Sequence, residues 1–280
     1  DGALIISEAV TTIGTSAFAG CSGFKGVLTI PNSVEIIESF AFFGCSGFTG
    51  TLIISNFVTF IGNSTFCDCS GFTKLQINSF HLFIGDFAFG GCTSLEEITI
   101  PQSVTHIGNS VFAGCESLKE ITFPEMITEI GESAFNDCLT LTKVHIPMSV
   151  KKIKNSAFRR CSKLEMIIIP NTVESIGNSS FYDCSSLKKI IIPSSIKVIE
   201  SHTFRGCSSL EEVIFESPSK IEEIKSNAFC FCSSLKQIEL PNTLKRIESM
   251  SFCECPSLSQ VTIPQSVTSI EKNSFYGCFK

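Results

Sequence analysis

Hydrophobic residues recur along this chain in the same order, with a period near 23 residues. The apolar positions of one representative unit are Leu141, Val144, Ile146, Val150, Ile153, Ala157 and Phe158. A phenylalanine followed three residues later by a cysteine closes twelve such units, from Phe18/Cys21 to Phe275/Cys278. A regular period of about 20 to 50 residues is typical of stacked repeats. The pattern therefore predicts a repeat array rather than a globular catalytic domain.

Each unit is predicted to contain one strand, a second short segment and about one helical turn. Val144 and Ile146 alternate with polar residues, which is the period of two expected for a half-buried strand. Proline follows this strand in eight units, at a position where a missing N–H least disturbs a sheet. After the second segment, Asn155 or Ser156 is a candidate cap for a helical turn that carries Phe158 and the closing cysteine inward.

Stacking these units predicts a parallel sheet and a continuous aromatic core. Neighbouring strands would lie roughly 4.8 Å apart, so that equivalent positions of successive repeats lie above one another. We call each such set of equivalent positions a column. We expect a single α/β solenoid domain over residues 1–280, with about twelve repeats of 23–25 residues. Neither end shows the atypical capping repeat of a free-standing solenoid, so we also expect the chain to be part of a longer protein.

The columns spell Leu-x-x-Ile-x-Ile-Pro-x-Ser-Val-x-x-Ile-Gly-x-Ser-Ala-Phe-x-x-Cys, nearly intact in residues 95–115 and 118–138. This pattern resembles the BspA-type leucine-rich repeats of surface proteins from oral and gut bacteria and from trichomonad and amoebic parasites. The resemblance covers essentially the whole chain. It implies a right-handed leucine-rich-repeat solenoid with its sheet on the concave face, display at the cell surface, and adhesion to host proteins or other microbes. It implies no catalytic residues.

Charge and composition narrow the class of function. The net charge is -6 and the isoelectric point is near 5.3, which argues against general nucleic-acid binding. The longest apolar runs fall well short of the roughly 18 residues of a membrane-spanning helix. The resemblance to BspA-type repeats implies, as the first interpretation, a binding ectodomain at the cell surface or outside the cell, whose anchor is not in this chain. A structural spacer and an intracellular recognition scaffold remain alternatives.

Enzymatic chemistry has little support in the sequence. The four histidines, His81, His106, His145 and His202, fall at four different positions of the repeat, so stacking would keep them apart. Nucleophile-elbow, phosphate-loop, dinucleotide-binding and zinc-protease motifs are all missing from the sequence. We therefore expect no enzyme activity, no cofactor and no metal site.

Twelve of the fifteen cysteines share the inward column beside the phenylalanines. Free cysteine packs as a small buried hydrophobe, so a reduced structural ladder is favoured over bridging within that column. The three others, Cys67, Cys230 and Cys253, stand two residues before a ladder cysteine, in a column expected at the surface. Cys230 and Cys253 lie in adjacent repeats, with Cα atoms expected about 5 Å apart, within disulfide range. Two unpaired thiols is the favoured interpretation, and a bridge is the alternative.

The outward strand positions of the predicted concave face are mostly polar, but three consecutive repeats break this rule. Ile168, Ile191 and Ile214 stand in one outward column, with Met166 beside them. Contiguous exposed apolar area rimmed by charge is a common sign of a protein contact surface, whereas β-branched residues also simply favour strands. We therefore predict that this stripe contacts a protein ligand. A host extracellular or surface protein is one candidate. Its charged edge is Lys143, His145, Lys189, Glu212 and Glu239.

A basic cluster away from the predicted concave strand is a second candidate site. Its residues are Lys151, Lys152, Lys154, Arg159, Arg160 and Lys163. Such a cluster could hold an acidic glycan or a phospholipid head group, although Glu165, Glu174 and the negative net charge weaken this hypothesis. Asn63 and Asn178 begin glycosylation sequons at one shared repeat position, which is a weak signal in a chain rich in Asn and Ser.

Overall fold

The computed structural model describes residues 2–278. The chain divides into two compact units, with the boundary between Leu141 and Thr142, and each is described by itself. Both units consist of short strands joined by turns, and residues 2–278 contain no helix.

Residues 2–141 of the first unit contain nine strands, with parallel pairing between successive repeats. They are β1 (Thr12–Ile13), β2 (Ile36–Ile37), β3 (Gly50–Ile54), β4 (Phe60–Ile61), β5 (Phe72–Ile77), β6 (Phe83–Ile84), β7 (Glu97–Thr99), β8 (Glu120–Thr122) and β9 (Glu129–Ile130). The order β3-β5-β7 forms one sheet, and the two-residue strands β1-β2-β4-β6 form another. Each residue therefore lies beside its counterpart one repeat along the chain, as Gln76 does beside Thr99.

In the second unit, the described residues 142–278 contain eleven strands of the same two kinds. They are β10 (Lys143–His145), β11 (Lys152–Ile153), β12 (Ser175–Ile176), β13 (Lys189–Ile192), β14 (Val198–Ile199), β15 (Glu212–Phe215), β16 (Glu223–Ile224), β17 (Gln237–Glu239), β18 (Arg246–Ile247), β19 (Gln260–Thr262) and β20 (Ser269–Ile270). The pairs β11-β12, β13-β15 and β17-β19 are parallel, as is the order β14-β16-β18-β20. The predicted parallel solenoid is confirmed.

The helical part of the α/β prediction is wrong. In the unit that includes Asn155 and Ser156, the segment before Cys161 consists of turns, although it buries Ala157 and Phe158 as expected. The same arrangement recurs in the other repeats, so the fold is a parallel β-solenoid whose corners are turns.

Backbone hydrogen bonding explains why these corners are not helical. In the repeat that closes at Cys184, the N–H groups of Ser179, Phe181 and Asp183 donate to carbonyl oxygens of the next repeat at 2.8–3.0 Å. The N–H groups in between, those of Ser180, Tyr182 and Cys184, donate to the carbonyl oxygen three residues earlier in the chain. Ser179 and Asp183 also adopt left-handed conformations, with φ of 55° and 54°. An L-residue in that region interrupts a right-handed helix, so stacking between repeats replaces the helical hydrogen bonds.

Phenylalanine side chains form the aromatic core of each unit. In the second unit, successive rings from Phe158 to Phe275 stack with centroids 5.1–5.6 Å apart. In the first, rings from Phe18 to Phe135 stack at 5.1–5.7 Å. The predicted phenylalanine spine is confirmed, and offset or parallel rings at this spacing add to the energy of burial.

The cysteine ladder is reduced, as predicted. Each ladder thiol that follows another repeat of its own unit donates a hydrogen bond to the carbonyl oxygen of the phenylalanine one repeat earlier, as Cys207 does to Phe181 at 3.1 Å. Burial raises the pKa of the Cys184 and Cys207 thiols, so they stay protonated and can act as donors. The thiol column therefore supplies hydrogen bonds to carbonyl groups of the core, in addition to its packing.

Left-handed residues at the corners allow a prediction about stability. Met250 has φ of 57°, and the equivalent residues of the flanking repeats, Asn227 and Asn273, have φ of 58° and 59°. Asparagine tolerates this conformation better than methionine, so we expect Met250→Asn to raise the free energy of unfolding by about 0.5–1 kcal/mol. Chemical denaturation would measure the change. Met126→Asn, at an exposed site outside the left-handed region, is the control, and an equal gain there would contradict the explanation.

Candidate functional site

The parallel register of the second unit brings the predicted apolar stripe together. Ile191 on β13 lies opposite Ile214 on β15, and Ile168 is bridged to His145 of β10. Met166 lies beside Lys189 in the neighbouring outward column. The residues predicted from spacing alone therefore share one surface, which we call the strand face.

Exposure of the four apolar residues is unequal. Met166, Ile168 and Ile191 are 64%, 70% and 42% exposed, whereas Ile214 is half-buried. A shallow recess of about 240 Å³ lies among the three exposed side chains. It is lined by Met166, Ile167, Ile168, Ile169, Lys189, Ile191 and Glu216. The apolar patch is thus centred on two repeats, and Ile214 contributes less than its column position suggested.

The charged edge of the strand face contains one internal ion pair. The Lys189 ammonium lies 2.8 Å from a Glu212 carboxylate oxygen, and both side chains are about half exposed. Within residues 2–278, Lys143 and Glu239 have no oppositely charged group within ion-pair distance. The patch therefore has an unpaired cation on one side and an unpaired anion on the other.

A second charged column runs beside the strand face, and its charges alternate in sign. Lys188 pairs with Glu165 at 3.0 Å, and Lys236 pairs with Glu211 at 2.9 Å. The Lys236 ammonium donates a hydrogen bond to Glu211 and lowers the pKa of that carboxyl. Exposed pairs of this kind contribute little to stability, because water screens their attraction. Their main effect here is to neutralise the lysines next to the apolar patch.

The residues of the predicted basic cluster lie in different segments of their repeat. Lys152 begins β11 and Lys151 precedes it, whereas Arg159 and Arg160 lie in the following corner. Lys154 is half-buried and engaged within the chain. The structure instead brings other residues next to Arg159, whose guanidinium carbon lies 4.9 Å from the centre of the Tyr182 ring.

Arg205 completes a row that the sequence analysis did not identify. Its guanidinium carbon lies 5.9 Å from the Tyr182 ring centre and 5.2 Å from the Phe231 ring centre. Arg159, Tyr182 and Arg205 stand two residues before successive ladder cysteines, in the same column as Cys230. An alignment of that column would have revealed the alternation of cation and ring, whereas a search for charge runs selected only residues close in sequence.

Cys230 and Cys253 form a disulfide, so the favoured interpretation of two unpaired thiols is wrong. Their Cα atoms are 4.6 Å apart, close to the expected separation for adjacent repeats. Both are buried, contrary to the surface position expected from their column. Cysteine is short, and the pair lies in the stack between the larger side chains of Arg205 and Tyr276. Cys67 in the same column stays a half-buried thiol, whose pKa burial raises to about 11.

The first unit exposes an aromatic row that the sequence analysis also missed. The rings of Phe60 and Phe83 stack with centroids 5.3 Å apart, and His106 follows Phe83 at 6.1 Å. All three side chains are exposed. Their spacing of 23 residues places them in one column, which is the signal that would have identified them.

Metal and membrane sites were searched over residues 2–278. In that range no three His, Cys, Asp or Glu side chains are grouped so that they could hold a metal ion. The same residues include no helical segment with the length and apolarity that a bilayer crossing requires.

Comparisons with known proteins agree with the repeat pattern and the fold. A family model of the BspA type leucine rich repeat region matches in 6 copies, over residues 3–92, 82–211 and 152–280. A leucine-rich repeat protein from Bacteroides ovatus, known from a crystal structure, is 31% identical, with 96% of this chain and 80% of that chain covered and a TM-score of 0.68. A leucine rich cell surface protein from Faecalibacterium prausnitzii is 26% identical, with 88% and 75% covered and a TM-score of 0.60. No curated protein sequence matches this chain. The chain belongs to the BspA-type leucine-rich-repeat family.

Proposed function

We propose that this chain is a protein-binding repeat domain that acts in adhesion at the cell surface, through the strand face of its second unit. The observation that carries the proposal is the group of Met166, Ile168 and Ile191, which lie exposed around one apolar recess. Contiguous apolar area of this kind on a polar face is typical of contact surfaces. The proposal assigns binding, and no catalytic step, to the chain.

The geometry of the strand face suggests the chemistry of the partner. Fully burying an aliphatic side chain contributes about 1.5–3 kcal/mol, so the recess favours a partner that inserts one apolar side chain between Ile168 and Ile191. Lys143 and His145 lie on one side of the patch, and Glu239 lies on the other. A protein segment with an acidic group on the first side and a basic group on the second would complement these charges.

A role at the cell surface is supported by similarity. The Faecalibacterium prausnitzii protein of the same fold is described as a leucine rich cell surface protein. Its description applies to that protein, and we extend it to this chain as part of the proposal. A spacer or an intracellular scaffold would use the same solenoid without requiring the exposed apolar patch.

The strand face can be tested by introducing one charge. We expect Ile191→Glu to abolish capture of a protein ligand from host-cell surface extract, because a carboxylate in the contact would lose its hydration without gaining a partner. Binding of the captured ligand to purified variants would then be measured by surface plasmon resonance. A loss of about tenfold or more in affinity is expected, which corresponds to about 1.4 kcal/mol.

Met148→Glu is the matched control, since Met148 is an exposed apolar residue of the same unit outside the patch. It should bind as the unmodified chain does, and thermal unfolding should show that both variants fold. Equal binding by Ile191→Glu and the unmodified chain would contradict the proposal. A chain that retains nothing from the extract would instead agree with the spacer function.

A further inference from the structure

We propose that the second unit carries a separate binding site for a sulfated acidic polysaccharide, formed by Arg159 and Arg205 on either side of Tyr182 in one column of the repeats. The site lies in the corner segments of the repeats and not on the strand face. It is therefore independent of the protein-binding function proposed above.

The guanidinium groups of Arg159 and Arg205 are not neutralised by carboxylates of the described residues 2–278. Most lysines near the strand face have a carboxylate partner, as Lys188 and Lys236 do. Within residues 2–278, Arg159 and Arg205 have no carboxylate oxygen at ion-pair distance, and the one polar side-chain contact of Arg205 is to the neutral Asn227 at 3.3 Å. These two guanidinium groups therefore keep their capacity to bind an external anion.

The aromatic rings orient the guanidinium groups for that purpose. Arg159 and Arg205 both contact the Tyr182 ring, and Phe231 provides a second ring for Arg205. A guanidinium that stacks on a ring uses its flat face, so its N–H donors, which lie in its plane, remain available. Planar pairs of N–H donors match the oxygen atoms of sulfate, phosphate and carboxylate groups. The row thus presents oriented donors and not only positive charge.

The local charge is positive although the chain as a whole is negative. The Asp183 carboxylate lies within electrostatic range of Arg160, Arg159 and Arg205. Partial burial raises the pKa of Asp183, and the three arginines oppose that increase. The guanidinium groups of Arg159 and Arg205, which have no carboxylate at ion-pair distance within residues 2–278, form a locally positive surface on a chain of net charge -6. A local positive site of this kind can attract polyanions even though the protein as a whole is not basic.

The spacing of the row favours a linear polymer over a single head group. Arg159 and Arg205 are two repeats apart in one column, which corresponds to about 10 Å at the strand spacing of a parallel sheet. Tyr182 lies between them in this column, so a single sulfate or phosphate group would have to reach past the ring to contact both guanidinium groups. A polysaccharide chain with sulfate groups along its length can contact both.

The test is a titration of the unmodified chain with a heparin oligosaccharide by calorimetry. Binding is expected at an ionic strength of about 0.15 M, where charges farther apart than about 8 Å are largely screened. Arg159→Gln/Arg205→Gln should weaken it by about tenfold or more and lower the slope of log affinity against log salt by about two, one for each cation removed.

Lys189→Gln/Lys236→Gln is the matched control, since it removes the same charge from two ion-paired lysines elsewhere in the unit. It should leave heparin binding unchanged, as should Ile191→Glu on the strand face. No heparin binding by the unmodified chain would overturn the proposal, and so would an equal loss in the lysine control. Binding to phosphatidylserine vesicles without binding to heparin would also overturn it and would assign the row to a lipid head group.

Discussion

Phe204→Ala is expected to lower the free energy of unfolding by about 3–5 kcal/mol, the range for a buried phenylalanine whose removal leaves a cavity. The Phe204 side chain is fully buried, and its ring stacks between Phe181 at 5.5 Å and Phe229 at 5.3 Å. Both stacking contacts would be lost together. Because each repeat packs only on its neighbours, a cavity here weakens both adjacent interfaces of the stack.

Urea denaturation followed by circular dichroism would measure this change. Phe57→Ala is the control, since Phe57 is the same residue type in an exposed position, and its effect should stay within about 1 kcal/mol. A Phe204→Ala chain as stable as the unmodified one would show that the phenylalanine stack does not hold the repeats together.

Removal of the disulfide is expected to have the next largest effect. Cys230 and Cys253 are bonded across a separation of 23 residues, one repeat. A loop of this size restricts the unfolded chain enough to stabilise the fold by about 3 kcal/mol in the chain-entropy description. Cys230→Ala/Cys253→Ala should therefore lower the melting temperature, and reductant should do the same to the unmodified chain.

Calorimetric melting with and without dithiothreitol would check this result. The double variant should no longer respond to the reductant, because the ladder cysteines are already thiols. Cys67→Ala is the matched control, since Cys67 is an unbonded thiol in the same repeat column. Its melting temperature should fall in reductant by as much as that of the unmodified chain, because both contain the disulfide. An unmodified chain that melts at the same temperature in reductant would contradict a stabilising bridge.

The two proposed sites use different parts of the repeat and can be separated by mutation. Ile191 belongs to a strand, whereas Arg159 and Arg205 belong to corners. Ile191→Glu should affect the protein ligand alone, and Arg159→Gln/Arg205→Gln should affect heparin alone. In a solenoid, distinct columns can therefore carry distinct ligands without a change in the core.

Much of the fold could be predicted from the sequence because the repeat period itself encodes the register. Once Phe181 and Cys184 are assigned to the core, residues one period apart must lie side by side in a parallel sheet. The pairing of Ile191 with Ile214 and of Lys189 with Glu212 follows directly, and the structure confirms both pairs. The composition of the strand face was therefore readable from the sequence, whereas its binding role stays a prediction.

Other features depended on contacts that a column alignment does not describe. The corner segments were predicted as helical turns, but stacked repeats supply carbonyl acceptors to Ser179, Phe181 and Asp183, and these compete with helical hydrogen bonds. The unequal exposure of Ile191 and Ile214 depends on the neighbouring side chains of each repeat. The sequence pattern therefore predicted the buried apolar positions of the corner segments correctly, but the helical backbone predicted for them was wrong.

The sequence by itself determined which side chains point inward and which residues become neighbours, since both follow from a period near 23 residues. Only the tertiary structure decided what those neighbours do. The bond between Cys230 and Cys253 and the stacking of Arg159 and Arg205 on Tyr182 depend on side-chain reach and direction between adjacent repeats. Those distances arise when the repeats pack against each other, and spacing along the chain does not specify them.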